Sequence, residues 1–176
     1  MNKSHLISLA IIAFFGASVA QAQSQNQVGS EHSFYGEIGF SQVDLSGAGG
    51  DSKPLALRFL VGNEINKNLG FDILYTQTVH KDTQTGFDAN YNGLGVFLKP
   101  KYTVIQGTEV FARIGVVRAD ITASSAGSSQ GSDIGYGLGI QTNFTNSVYG
   151  QIDYMHSYDR DNVAAKGFTV SIGSRF

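Results

Sequence analysis

The stretch LALRFLVGNEINKNLGFDILYT, residues 55–76, carries its apolar residues two apart on both sides of a short polar turn. Leu55, Leu57, Phe59 and Val61 alternate with Ala56, Arg58, Leu60, Gly62 and, further on, Glu64. After Asn66-Lys67-Asn68, the set Leu69, Phe71, Ile73 and Tyr75 alternates with Gly70, Asp72, Leu74 and Thr76. A helix, with 3.6 residues per turn, would scatter these sets around its circumference, whereas a strand places each on one side. The stretch therefore reads as two antiparallel strands with a tight connection. One side is apolar throughout. The other mixes small residues with single charges, which is not the make-up of a solvated surface.

The pattern recurs in both directions. Towards the amino terminus, Phe34, Gly36, Ile38 and Phe40 oppose Tyr35, Glu37, Gly39 and Ser41. Towards the carboxy terminus, Leu94, Val96 and Leu98 oppose Gly93, Gly95, Phe97 and Lys99, and Val110 to Val116 oppose Phe111, Arg113, Gly115 and Val117. Ile134 to Ile140 oppose Gly135, Gly137, Gly139 and Gln141. Val148 to Tyr154 oppose Tyr149, Gln151, Asp153 and Met155, and Phe168, Val170 and Ile172 oppose Gly167, Thr169, Ser171 and Gly173. These are eight segments without a helical period.

Their connections alternate in length. Short turns lie at 66–68, around Gln106-Gly107 and at 145–147, while longer polar stretches lie at about 42–54, 78–90, 119–132 and 157–166. An even number of alternating strands, with short turns at one end and longer loops at the other, is the pattern of an outer-membrane barrel. The expected fold is all-β: an eight-stranded antiparallel transmembrane β-barrel with short periplasmic turns and four longer extracellular loops. The small residues suit the crowded bore of eight strands. Glu37, Glu64, Asp72 and Asp153 share the inward side with Arg58, Lys99, Arg113 and Arg175. Because a buried unpaired charge is costly, four acids against four bases predict a lumen ion-pair network.

Composition narrows the function classes. The 176 residues include 22 Gly but neither Cys nor Trp, which excludes disulfides and thiolate chemistry. Twelve Lys and Arg against fourteen Asp and Glu give no basic footprint for nucleic acid. Residues 1–22, MNKSHLISLAIIAFFGASVAQA, read as a cleaved signal peptide: Lys3, an apolar run from Leu6 to Phe15, and small residues before a cut after Ala22 or Ala20. Residues 23–33 read as a flexible lead-in and 34–176 as the barrel.

Three pieces carry a family resemblance: Phe34-Tyr35-Gly36-Glu37-Ile38-Gly39, Asn66-Lys67-Asn68-Leu69-Gly70-Phe71, and the end Phe168-Thr169-Val170-Ser171-Ile172-Gly173-Ser174-Arg175-Phe176. Together they make the chain resemble the small OmpA/OmpX-like outer-membrane β-barrel family. The resemblance implies a location in the outer membrane of a Gram-negative cell, in contact with its lipid and lipopolysaccharide. It also implies that Phe168, Val170, Ile172 and Phe176 form the signal read by the outer-membrane assembly machinery. No cofactor or metal is implied. Since the sequence stops at Phe176, no peptidoglycan-binding domain like that of OmpA is expected.

The expected function is that of an integral structural or surface-interaction protein without catalysis, able to meet a host or matrix ligand through its loops. A narrow channel for small solutes is the alternative. A lipid A-modifying acyl hydrolase is a further one, for which His156-Ser157 is the suggestive pair. Arg118 continues the lipid-facing phase of its segment and is a candidate contact for a lipopolysaccharide phosphate.

Overall fold

The computed structural model describes residues 34–47, 50–82, 89–123, 127–160 and 163–176; the expected signal peptide and lead-in lie outside the described residues. Among the described residues nine strands follow in chain order: β1 (Phe34–Gly47), β2 (Gly50–Ser52), β3 (Leu55–Asn66), β4 (Leu69–His80), β5 (Ala89–Ile105), β6 (Thr108–Ala123), β7 (Gly127–Asn143), β8 (Val148–Arg160) and β9 (Val163–Arg175). From β3 onward each strand pairs antiparallel with the next. β1 pairs with both β3 and β9, so β1 and β3–β9 close into an eight-stranded barrel. No helix among the described residues is long and apolar enough to cross a membrane; here it is the strands that cross.

The alternation of residue types becomes the two faces of the wall. Ile38, Phe40, Ile73, Leu94, Val96, Ile114, Leu138, Ile152, Phe168, Val170 and Ile172 are all exposed on the outside. Such an apolar belt is matched to lipid, where every backbone group must bond within the sheet. Inward positions are small, aromatic or charged. Gly62 shows why glycine is needed: the Tyr35 ring lies across it, where a β-carbon would stand. Gly173 gives the Tyr149 ring the same space. In the β5–β6 turn, Gly107 has φ +82°, a conformation natural to glycine.

The strands run further than the hydropathy pattern indicates. Much of the sequence expected as long loops at 42–54, 78–90, 119–132 and 157–166 is strand: β1 reaches Gly47, β6 reaches Ala123, and β8 and β9 meet at Arg160↔Val163. Beyond the lipid a strand no longer needs an apolar face, so alternation fades while the ladder continues. The extra strand β2 arises similarly. Above Gln42, β1 leaves β3 and folds onto its own continuation through Leu45↔Ser52 and Gly47↔Gly50.

Pairing does not reach the same height all round. β7 stays paired with β6 up to Ala123↔Gly127, but its ladder with β8 ends at Tyr136↔His156. Beyond the bulge between His156 and Tyr158, β8 pairs with β9 alone.

Candidate functional site: the filled lumen

Inward-facing side chains from β1, β3, β4, β5, β6 and β8 converge at mid-barrel. Arg113 on β6 is at the centre. Its Nε donates to Asp72 Oδ2 at 2.6 Å and its Nη1 to Asp153 Oδ1 at 3.3 Å, while Nη2 lies 3.6 Å from Glu37 Oε2. Arg58 grips Asp153 with both terminal nitrogens, Nη1 reaching Oδ2 at 2.7 Å. Lys99 Nζ lies 3.6 Å from Glu37 Oε1 and donates to Gln141 Oε1 at 3.0 Å and Gln151 Oε1 at 3.1 Å. Phenols and an amide add further donors to the same carboxylates. The Tyr35 hydroxyl donates to Asp72 Oδ1, Tyr149 to Glu37 Oε1 at 2.9 Å, and Gln151 Nε2 to both Glu37 and Asp153. All six charged side chains are buried. The Phe111 ring faces two cations, with Lys99 Nζ 4.6 Å and the Arg113 guanidinium carbon 4.8 Å from its centroid.

A second charged layer lies nearer the short-turn end. Lys101 Nζ is 2.7 Å from Glu64 Oε2 and 3.3 Å from Glu109 Oε2, and Gln141 Nε2 donates to Glu109. Arg175 approaches Glu64 at 4.0 Å, donates to Asn143 Oδ1 at 3.0 Å and covers the Tyr149 ring. Across both layers five carboxylates meet five cations, so the interior is formally neutral.

Lys101 and Glu109 belong to this arrangement but lie outside the strand limits read from hydropathy. The available signal was phase: Lys101 is two residues beyond Lys99, and Glu109 is two before Phe111. Gln141 and Gln151 also stand at inward phase and bridge ions through their amides.

Towards the long-loop end the lumen becomes apolar. Val43, Leu45, Ala56, Tyr91, Ala119, Ile121, Tyr158 and Ala165 pack into one cluster. Between this plug and Arg58 is a cavity of about 20 Å³ that also touches Thr76, Met155 and Thr169, room for about one water.

The other sequence candidates are placed as follows. Arg118 is exposed on β6, opposite Leu94 and Ser132. Phe168, Val170, Ile172 and Phe176 are exposed. His156 stacks on the outward-facing Tyr136 at 5.1 Å between ring centroids and lies 3.6 Å from Asp159, whereas Ser157 lines the internal cavity. The wall therefore separates this pair, and no nucleophile–base contact forms. Among the described residues no group of three or more His, Asp or Glu is placed to hold a metal ion.

Comparison with known proteins fits this architecture. The family model described as "Outer membrane protein beta-barrel domain" matches residues 7–176. No curated protein sequence matches. Among solved structures, Ail, the attachment invasion locus protein of Yersinia pestis, is 20% identical with a TM-score of 0.65, over 84% of this chain and 100% of its own. Neisserial surface protein A is 19% identical with a TM-score of 0.63, over 84% and 100%. The N-terminal β-barrel domain of Pseudomonas aeruginosa OprF is 13% identical with a TM-score of 0.53, over 80% and 97%. At these identities the likeness is one of fold.

Removing Arg113 leaves Asp72, with Glu37 and Asp153 beside it, short of a positive partner inside the wall. Arg113→Ala should therefore cost about 3–5 kcal/mol in urea unfolding from lipid vesicles. A loss below about 0.5 kcal/mol would mean that water replaces the guanidinium and that the layer is hydrated.

Proposed function

The chain belongs to the outer membrane protein beta-barrel domain family, and from that premise we propose that this integral outer-membrane protein acts at the cell surface, with a lumen that conducts no solute. The observation that carries the reading is the filling of the bore. Two neutral charged layers lie beneath an apolar plug, and Phe97, Phe111, Tyr149 and Met155 occupy the space between. A conducting route needs hydrated, mobile polar groups, whereas here the charged groups hold one another. With the interior committed to packing, the parts free to meet partners are the lipid-facing wall and the strands that continue beyond it.

Two kinds of contact fit those surfaces. Arg118, exposed in the lipid-facing phase near the outer end of β6, is suited to a lipopolysaccharide phosphate. The rim beyond the lipid is suited to a host or matrix ligand. Ail is named for attachment and invasion, and one of its structures is a complex with the heparin analogue sucrose octasulfate; that parallel supports a surface-attachment role here. The assembly machinery is the third proposed partner, through Phe168, Val170, Ile172 and Phe176.

Planar bilayers containing the folded protein test the main reading: no discrete current steps are expected, and reproducible steps would restore the narrow-channel alternative. Deleting Phe176 tests the assembly role. It should lower the folded, heat-modifiable fraction in cells while folding into detergent micelles persists, and unchanged yield in cells would remove Phe176 from the signal.

A further inference from the structure

Above the lipid belt the outward faces of β5, β6 and β7 form one continuous surface, and the register fixes which side chains stand side by side. Leu94, Arg118 and Ser132 make the lowest row, Asn92, Asp120 and Gln130 the next, and Asn90, Thr122 and Ser128 the highest. Neighbours within a row are about 4.8 Å apart and rows about 7 Å apart. All are exposed except Asn90 and Asp120, which are half-buried.

The surface is firmly backed. At the alternate positions Ala89, Tyr91, Ala119 and Ile121 belong to the apolar plug, and the Tyr158 side chain lies against Gly131. Leu94 is the one apolar member of the grid. The upper two rows consist of amides, hydroxyls and one carboxylate, with no Lys, Glu or aromatic ring. Among the described residues, none of the polar side chains in the grid bonds to another protein group. Their donors and acceptors all face outward.

The order of chemistry along the strands matches that of one kind of molecule. Below the grid the wall is apolar, with Val96, Val116 and Ile134 exposed. Arg118 stands at the edge of that belt, and the amides and hydroxyls follow it. An anionic glycolipid in the outer leaflet presents the same order from the bilayer outward: acyl chains, phosphate, sugars. An amide sets a donor beside an acceptor, and a carboxylate sets two acceptors side by side, so both can engage neighbouring hydroxyls of a sugar ring. Arg118 and Asp120 cancel, so the grid is neutral as a whole and suits uncharged hydroxyl groups. A protein partner would need aromatic or large apolar anchors, which the upper rows lack.

We propose that Asn90, Asn92, Asp120, Thr122, Ser128 and Gln130 form a saccharide-binding face for lipopolysaccharide, which holds the sugars of the molecule whose phosphate meets Arg118. The proposal rests on the reading of Arg118 above for its lower anchor. Because sheet and plug hold these side chains in place beforehand, little order has to be created when the sugars dock.

The test follows the side-chain NH2 signals of Asn92 and Gln130 and the Nε–H signal of Arg118 by nuclear magnetic resonance, in intact protein folded in phospholipid nanodiscs. Lipid A, which carries the phosphates without the core saccharide, should shift Arg118 alone. Lipopolysaccharide with its core should shift all three. Asn92→Ala combined with Gln130→Ala should weaken retention of core-bearing lipopolysaccharide about tenfold and leave lipid A retention unchanged. The heat-modifiable band checks that this variant is folded. Arg118→Ala should weaken retention of both. A response of Arg118 to lipid A, with Asn92 and Gln130 silent towards core-bearing lipopolysaccharide, overturns the saccharide face and leaves the Arg118 contact standing. Silence of all three overturns both. Shifts of Asn92 and Gln130 with lipid A alone overturn the saccharide face too. So do shifts with a soluble heparin fragment but none with core-bearing lipopolysaccharide, which would assign the face to an external glycan.

Discussion

The ladder between β1 and β9 is the constraint on which the rest depends. In hydrocarbon an unpaired N–H or C=O has no water to bond, so a sheet can cross only by consuming both of its edges. Pairing from Tyr35↔Arg175 to Gly47↔Val163 does this with the first and last long strands. Closure with eight strands fixes a bore only as wide as side chains. The contents of that bore must then be compact, fully bonded and neutral.

Each requirement appears in the residues. Compactness comes from aromatic rings laid over glycines, Tyr35 over Gly62 and Tyr149 over Gly173. Bonding comes from the phenols, Gln151 and the cations, which together leave both oxygens of Glu37, Asp72 and Asp153 engaged. Neutrality comes from matching five acids to five bases in two layers. A buried pair adds little stability over apolar packing but is costly to break. The network therefore holds one arrangement of strands more than it deepens the energy well. The bore being filled, contact with partners falls to the outside of the wall and to the strand extensions.

The fold was legible because strand phase survives without knowledge of register. Alternation alone identifies Arg58, Asp72, Lys99, Arg113 and Asp153 as inward, each two positions from another residue of the same phase (Leu60, Leu74, Phe97, Phe111 and Met155), and all ten are buried. Which ion meets which was not legible. Asp153 receives Arg58 from β3 and Arg113 from β6, strands that are not its neighbours, and such contacts across the bore depend on tilt and stagger. Lys101 and Glu109 were hidden because apolar alternation stops near Lys99 and resumes at Val110, whereas the strands continue to the turn at Gln106-Gly107. The continuation of β6 and β7 beyond the lipid was hidden because Ser, Gln and Gly pair their backbones there without any apolar face to mark them.

The central claim, that the interior is a dry and mutually neutralised core, can be read from one proton. The Arg113 Nε–H is donated to Asp72 in a fully buried guanidinium. In nanodisc-embedded protein at neutral pH, its nuclear magnetic resonance signal should be visible and should persist for hours after transfer to deuterated water, as deeply protected groups do. Loss of that signal within the dead time, while the backbone amides of β6 stay protected, would show water moving freely through the lumen and would contradict the account.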